Sequence, residues 1–480
     1  MNPPNHTLPV SAFAAQAPSL LWPALTGPDD LAAVEAVELS ARRLPVSTYA
    51  ALERAAHLWP DRSAVTLLPS AERYRDGRTR GYAPLLADVR RAANALTAAG
   101  VTRRTAVGLL SPNNAELLTA LLAAQAAGIA APANPGLASE HLTGIFERAA
   151  VRVLVAAGPE VDPGLWSTAR QVAHRLRATT LLALRPTDAA GTPPPLEPLD
   201  GTDVAYLTGR AQSQPGDRLL AAAPASTDLA SFFHTGGTTG TPKLAAHTHA
   251  NEVSDAWMIA AGSAVPEDAV VFAALPLFHV NALVVTVLAP LLRGRHVVWA
   301  GPLGFREPGL YRTFWRIVEH HKVATLSAVP TVYAALTKVP VDADISSLRF
   351  AAVGASPLPA TVQQAFELGT GVALAEGYGL TEATCASARQ FPGQPRRGSV
   401  GQRLPYQRVK AVRRPGAAGA RVDLDPGEPG ALLVQGPNVF PGYVVGHDAD
   451  GPVLDHSARS RTAGWTPETS PGSTTTATST

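Results

Sequence analysis

The feature that most restricts the fold is an alternation, through most of the chain, of short β-branched runs with longer helical patterns. Residues 107–110 read as a strand, and Ser111-Pro112 as a helix N-cap followed by a favoured first helical residue. A helix from about 113 to 127 and a strand near 129–133 complete one βαβ unit. Strand candidates recur at 151–156, 270–274, 296–300, 323–329, 350–353 and 372–375. This spacing predicts an α/β protein with helix-covered, mostly parallel sheets. Beyond about Gly401 the candidates shorten to 409–412, 421–424 and 430–435 between Gly/Pro turns, which predicts a smaller antiparallel β-rich lobe. Segments 186–198 and 212–224, rich in Pro, Gly and polar residues, read as surface connections.

With 480 residues the chain can bury a large core and form more than one lobe. A net charge of +2 gives no reason to expect nucleic acid or an anionic membrane surface. The single cysteine, Cys385, excludes an internal disulfide framework and fits a reducing cytoplasm, where it reads as a small buried thiol. The first arginines are Arg42 and Arg43, so no basic region precedes an apolar stretch and no secretory signal is expected. Segments 117–131 and 282–292 are apolar but fall short of the ~18 residues of a membrane span, and buried helices are expected instead.

Between Phe233 and Lys243 lies a glycine- and threonine-rich run suited to holding phosphate. Gly236, Gly237 and Gly240 let backbone N–H groups approach anionic oxygens, while Thr235, Thr238 and Thr239 add hydroxyl donors. Lys243 adds a positive charge in a chain whose only other lysines are Lys322, Lys338 and Lys410. The run is not the nucleotide-triphosphatase P-loop, because Gly236 and Gly240 enclose three residues and Pro242 precedes the lysine. Glu376, Gly377, Tyr378 and Gly379 leave the strand candidate 372–375, with Thr381 and Glu382 just beyond. Ligands gather at such strand ends. The glycines permit close approach, Tyr378 offers a face to a base, and Glu382 offers a hard oxygen to Mg²⁺. Gly354, Ala355 and Ser356 follow the candidate 350–353, and Pro276 to Val280, with His279, follow 270–274.

Together these residues resemble the adenylate-forming superfamily, the AMP-forming acyl-CoA synthetases and related ligases. The family's phosphate loop, aromatic-x-Thr-Ser/Gly-Gly-Thr-Thr-Gly-x-Pro-Lys, fits Phe233 to Lys243, and its Tyr-Gly-x-Thr-Glu motif is Tyr378 to Glu382. Its gating aromatic or histidine falls on His279, its adenine-contacting turn on Gly354 to Ser356, and a later Gly-Tyr segment on residues 436–443. The resemblance runs from about Pro45 to Tyr443, and His247-Thr-His-Ala-Asn-Glu252 looks most like bacterial fatty-acyl-CoA synthetases. A zinc site at His247 and His249 would lack cysteine partners. The pair His320-His321 reads as a helix end.

The resemblance implies a large N-terminal AMP-binding domain, with residues 1–44 as an extension, 45–400 as the α/β region and 401–445 as its β-rich lobe. It implies that a carboxylate, a fatty acid in this branch, attacks ATP to give acyl-adenylate and pyrophosphate, and that coenzyme A then takes the acyl group. Thr235 to Lys243 would hold the β- and γ-phosphates, and Thr239 with Glu382 would hold Mg²⁺. Gly354 to Ser356 and Glu376 to Gly379 would form the adenine pocket. His279 and Thr381 would stand near the α-phosphate or acyl carboxylate. Residues 280–292 could wall an acyl chain or simply fill the core. A non-catalytic nucleotide-binding remnant and a ligase loading a carrier protein are the alternatives.

Family members continue with Asp-Gly-Trp-x-x-Thr-Gly-Asp, a hinge and a C-terminal domain of about a hundred residues. Here residues 446–480 end in Ser, Thr and Pro, which at face value read as a disordered tail. Back-translating Arg461 to Thr480 and reading the neighbouring frame permits Asp-Gly-Trp-x-Asp-Thr-Gly-Asp. The expectation is therefore a frameshift between Val445 and Arg461, an absent C-terminal domain and impaired adenylation. Sequencing the gene across codons 445–480 tests it: the third bases spell the motif, or the frameshift is wrong.

Overall fold

A computed structural model describes residues 21–235, 242–262, 265–413 and 422–456. It contains two nine-stranded sheets and one three-stranded sheet. In the first large sheet Leu229–His234, Ile129–Pro132, Ala106–Leu110, Val153–Ala157, Thr180–Leu184 and Asp203–Tyr206 run parallel in that order. Leu244–Thr248, Gly442–Asp448 and Gly451–Asp455 extend it antiparallel. In the second, Ala373–Tyr378, Phe350–Val353, Val323–Ala328, Val270–Ala273, His296–Trp299 and Ser63–Leu67 form the parallel run. Short antiparallel strands close both edges, at Gln402–Arg403 with Ala388–Arg389 and at Arg78–Gly81. The expected α/β architecture is the observed one.

The central strands read as unbroken apolar runs because helices cover both faces: every residue of Ala106–Leu110, Val153–Ala157 and Thr180–Leu184 is buried. Helix Ala115–Ala127 is apolar nearly all round for the same reason and lies inside the main core. Its cap is Asn114, not Ser111. The extended backbone at Asn114 brings Oδ1 within 2.6 Å of the Leu117 N–H, while the Ser111 hydroxyl donates to Pro112 O. Residues 280–292 form a buried helix, as expected of 282–292, interrupted by the π-helical segment Val284–Leu288. Pro290 has no N–H to return to Thr286 O, and the Thr286 hydroxyl donates to Ala282 O at 2.6 Å, so the regular ladder gives way there. Among the described residues no helix is long and apolar enough to cross a membrane.

The β-rich stretch divides differently from expectation. Val422–Asp423, Arg408–Arg413 and Ala431–Gln435 form the antiparallel small sheet. Gln402–Arg403 instead belongs to the second large sheet, and Gly442–Asp448 returns to the first, where Tyr443 pairs with Ala245. The hairpin continues to Asp455, so residues 446–448 and 451–455 are strand rather than tail; residues 457–480 lie outside the described residues, as do 1–20 of the extension. Tyr443 and Val444 are buried by this pairing, which also covers the edge of Leu244–Thr248.

Asn113 ties the carboxyl ends of the two large sheets together. It follows strand Ala106–Leu110 and reaches the loop after Val270–Ala273, with Nδ2 donating to Leu275 O at 2.9 Å and Oδ1 accepting from Leu277 N at 3.0 Å. Replacing it by alanine leaves a buried carbonyl and N–H without partners. Asn113→Ala is expected to lower stability by about 2 kcal/mol in urea unfolding, and an unchanged midpoint would show the tie to be dispensable.

Candidate active site

The Gly/Thr run joins two antiparallel neighbours, Leu229–His234 and Leu244–Thr248, in a hairpin closed by Thr235 N donating to Lys243 O at 2.9 Å. A returning strand, not a helix, follows Lys243, which accounts for Pro242 before it. Arg148 Nη1 donates to Pro242 O at 2.9 Å and steadies that limb. Gly236, Gly237, Thr238, Thr239 and Gly240 lie outside the described residues. Lys243 is exposed, with Nζ 5.1 Å from the centroid of the Tyr443 ring.

The two expected strand-end turns are neighbours. A Cβ on Gly354 would stand 3.5 Å from Gly377 O. Ala355, at φ 70°, holds a left-handed conformation, and Ala355 and Ser356 are exposed. Glu376, Gly377 and Tyr378 are not loop, as the sequence suggested, but the last residues of strand Ala373–Tyr378. The returning strand Ala388–Arg389 pairs with Gly377 and Tyr378 and prolongs it. Glu376 Oε1 accepts from Leu358 N at 3.2 Å, so this carboxyl braces the 354–358 turn; burial raises its pKa. The Tyr378 phenol is pushed up to about 12 by burial and by Glu382. Gly379 is required sterically, since a Cβ there would lie 1.6 Å from Cys385 O.

Glu382 sits in the 3₁₀ turn Thr381–Ala383 and is 7% exposed. Its Oε1 accepts from the Tyr443 hydroxyl, and its main-chain oxygen accepts from Phe440 N at 3.0 Å. Among the described residues Oε2 has no hydrogen-bond partner. Thr381 O accepts from His247 Nε2 at 2.7 Å, which fixes that ring nitrogen as a donor. Asn438 Nδ2 donates to Ala383 O at 2.8 Å, and the Thr384 hydroxyl donates back to Asn438 O at 2.6 Å. Beneath the turn, Asp255 accepts from Ala386 N at 2.9 Å, and burial holds its pKa well above the usual carboxylate range.

His279 precedes helix Val280–Leu283, its ring 4.5 Å from Phe278, which in turn stacks 6.1 Å from His234. Burial and the neighbouring His279 push His234 down to about 4, and desolvation lowers His279 as well. The structure thus gathers Lys243, Thr381 and Glu382 through Tyr443 and His247, and Gly354 with Gly377. His279 joins the hairpin through Phe278. Sequence reading missed Tyr443, Asn438 and Asp255 as supports. It weighed His247 as part of a family resemblance and against zinc, whereas His247 faces Thr381 and His249 Nδ1 accepts from the Thr48 main chain and from its hydroxyl, 3.1 Å away. The Gly-Tyr pair was the one available signal for Tyr443.

With that geometry in place, the match along the sequence is decisive: residues 52–444 fit the AMP-binding enzyme family. The chain belongs to the AMP-binding enzymes. It is 38% identical over 410 residues to marinolic acid–CoA ligase of Pseudoalteromonas sp., covering 84% of this chain and 61% of that protein. It is 31% identical over 406 residues to feruloyl-CoA synthase of Amycolatopsis sp., covering 82% of this chain and 73% of that protein. The crystal structure of the anthranilate CoA ligase AuaEII in complex with anthranoyl-AMP matches the fold with a TM-score of 0.71 at 23% identity, over 87% of this chain and 78% of that one. The AMP-binding chain therefore spans 61% of the length of the first of these relatives.

In this AMP-binding chain the turn under Glu382 depends on Gly379. Gly379→Ala is expected to cost about 3 kcal/mol in urea unfolding and to speed hydrogen exchange at the Ala386 amide. Unaltered exchange there would mean the turn tolerates a side chain.

Proposed function

We propose that this chain binds ATP for the adenylation chemistry of an acid–thiol ligase, with a fatty acid as the carboxylate and coenzyme A as the accepting thiol, in the cytoplasm. The observation that carries the reading is the meeting, on the single side chain of Tyr443, of the lysine that ends the Gly/Thr hairpin and the glutamate of the Tyr-Gly-x-Thr-Glu turn.

The reactants are both anions, so lowering their repulsion and aligning them supplies most of the acceleration. Lys243 and the donors Thr235, Gly236, Gly237, Thr238, Thr239 and Gly240 bind the β- and γ-phosphates. Oε2 of Glu382, without a partner among the described residues, is a hard donor that fits Mg²⁺, with the Thr239 hydroxyl as its companion. When bound, Mg²⁺ neutralises phosphate charge. The exposed main chain of Ala355, Ser356 and Gly379, with Gly354, Gly377 and the face of Tyr378, receives adenine; Glu376 contributes by bracing that turn. His279 and Thr381 orient the acyl carboxylate and the α-phosphate.

A carboxylate oxygen attacks the α-phosphorus, the bond to the bridging oxygen breaks, and pyrophosphate leaves. The coenzyme A thiolate then attacks the acyl carbonyl, and AMP leaves with the electrons of the acyl–oxygen bond. Most of helix 280–292 is committed to the core, and only Val280, Asn281 and Val285 are partly open to face an acyl chain.

A non-reactive acyl-adenylate mimic tests the reading without requiring turnover. A fatty-acyl sulfamoyl adenosine is expected to bind at least about a hundredfold more tightly than AMP in calorimetry, because adenine and acyl groups are held together. Equal affinity for the two would remove the acyl site, and failure of both to bind would remove the nucleotide site.

A further inference from the structure

Strand Gly442–Asp448 lies antiparallel to Leu244–Thr248 with Tyr443 opposite Ala245. Lys243 is two residues before Ala245, so it is the diagonal neighbour of Tyr443 on the same face of the ladder. That register explains why Nζ stands 5.1 Å from the phenol ring centroid. Tyr443 is 8% exposed and its ring packs edge-on against Phe440 at 4.9 Å, while Phe440 N holds the main chain of Glu382 at 3.0 Å. The hydroxyl lies against Glu382 Oε1 and donates to it.

We propose that Tyr443 is a positioning residue that holds the cation-binding carboxylate and the phosphate lysine in one fixed relation. The inference rests on the roles given above to Glu382 and Lys243. The hydroxyl occupies one oxygen of Glu382 and so turns the other to the site in a single rotamer, removing orientational freedom before a cation arrives. The ring keeps the Lys243 ammonium at the mouth of the hairpin. A cation–π contact at an exposed site is weaker than a charge-assisted bond to a phosphate oxygen, so arriving phosphate draws the lysine off the ring. Before the nucleotide binds, the two ends of the phosphate site are already set by one side chain.

Calorimetric titration of the full chain separates these roles. ATP is titrated with saturating Mg²⁺ and again in EDTA, and AMP is titrated in EDTA as a control for the adenine pocket. Tyr443→Phe keeps the ring and removes the hydroxyl. It is expected to cut the Mg²⁺-dependent gain in ATP affinity about tenfold, the size of one hydrogen bond to a charged group, with AMP affinity unchanged. Tyr443→Leu is expected in addition to gain about threefold in ATP affinity in EDTA, because the exposed cation–π contact that binding must break is no longer there. Glu382→Gln separates this inference from the reading beneath it. If Glu382→Gln abolishes the Mg²⁺ gain while Tyr443→Phe keeps it, the positioning role is overturned and the metal carboxylate stands. If Glu382→Gln also keeps the gain, both are overturned. A Tyr443→Leu protein that binds ATP in EDTA no more tightly than Tyr443→Phe overturns the lysine half, and AMP affinity falling in step with ATP in every variant would show general damage to the domain in place of positioning.

Discussion

The pairing of Gly442–Asp448 with Leu244–Thr248 is the contact on which the site depends. It brings a strand from late in the chain onto the limb that carries Lys243, some two hundred residues earlier. Without it the edge of the first sheet would stand open, and Glu382 would lose the hydroxyl that fixes it. The same segment supplies Asn438 and Phe440, which hold the Thr381–Ala383 turn through main-chain groups. One long-range pairing therefore organises residues that in sequence are scattered over three motifs.

A second constraint is the preference of the interior for neutral groups. Burial keeps His234 and His249 low, at about 4 and about 3, so both are uncharged near neutrality, and it raises Asp255 well above the usual carboxylate range. His247 donates to Thr381 O through Nε2 with its ring fully buried. The two depressed histidines also make folding pH-dependent: their contribution is complete above the ordinary histidine value of about 6.5 and is lost as pH falls toward their folded values.

Much of this was legible in the sequence. Strand 350–353 was read to the residue, and most others to within two, because parallel strands buried on both faces leave unbroken β-branched runs. The Gly/Thr run and the Tyr-Gly-x-Thr-Glu turn stood out because their chemistry is written in local composition. What could not be read was long-range. Nothing near Gly442 says that it joins a strand beginning at Leu244, so residues 401–445 looked like one lobe. Glu376 to Tyr378 looked like loop because their strand partner, Ala388–Arg389, is too short to announce itself. The cap at Asn114 was misplaced to Ser111 because both are good capping residues and only the backbone angles distinguish them.

The most direct measurement is a crystal structure of the chain with ATP and Mg²⁺. The account predicts adenine against Gly354 to Ser356 and Tyr378, the triphosphate running along the hairpin toward Lys243, and Glu382 Oε2 directed at the cation. A nucleotide bound elsewhere, or bound here with Lys243 still over the Tyr443 ring and Glu382 away from the phosphates, would contradict it.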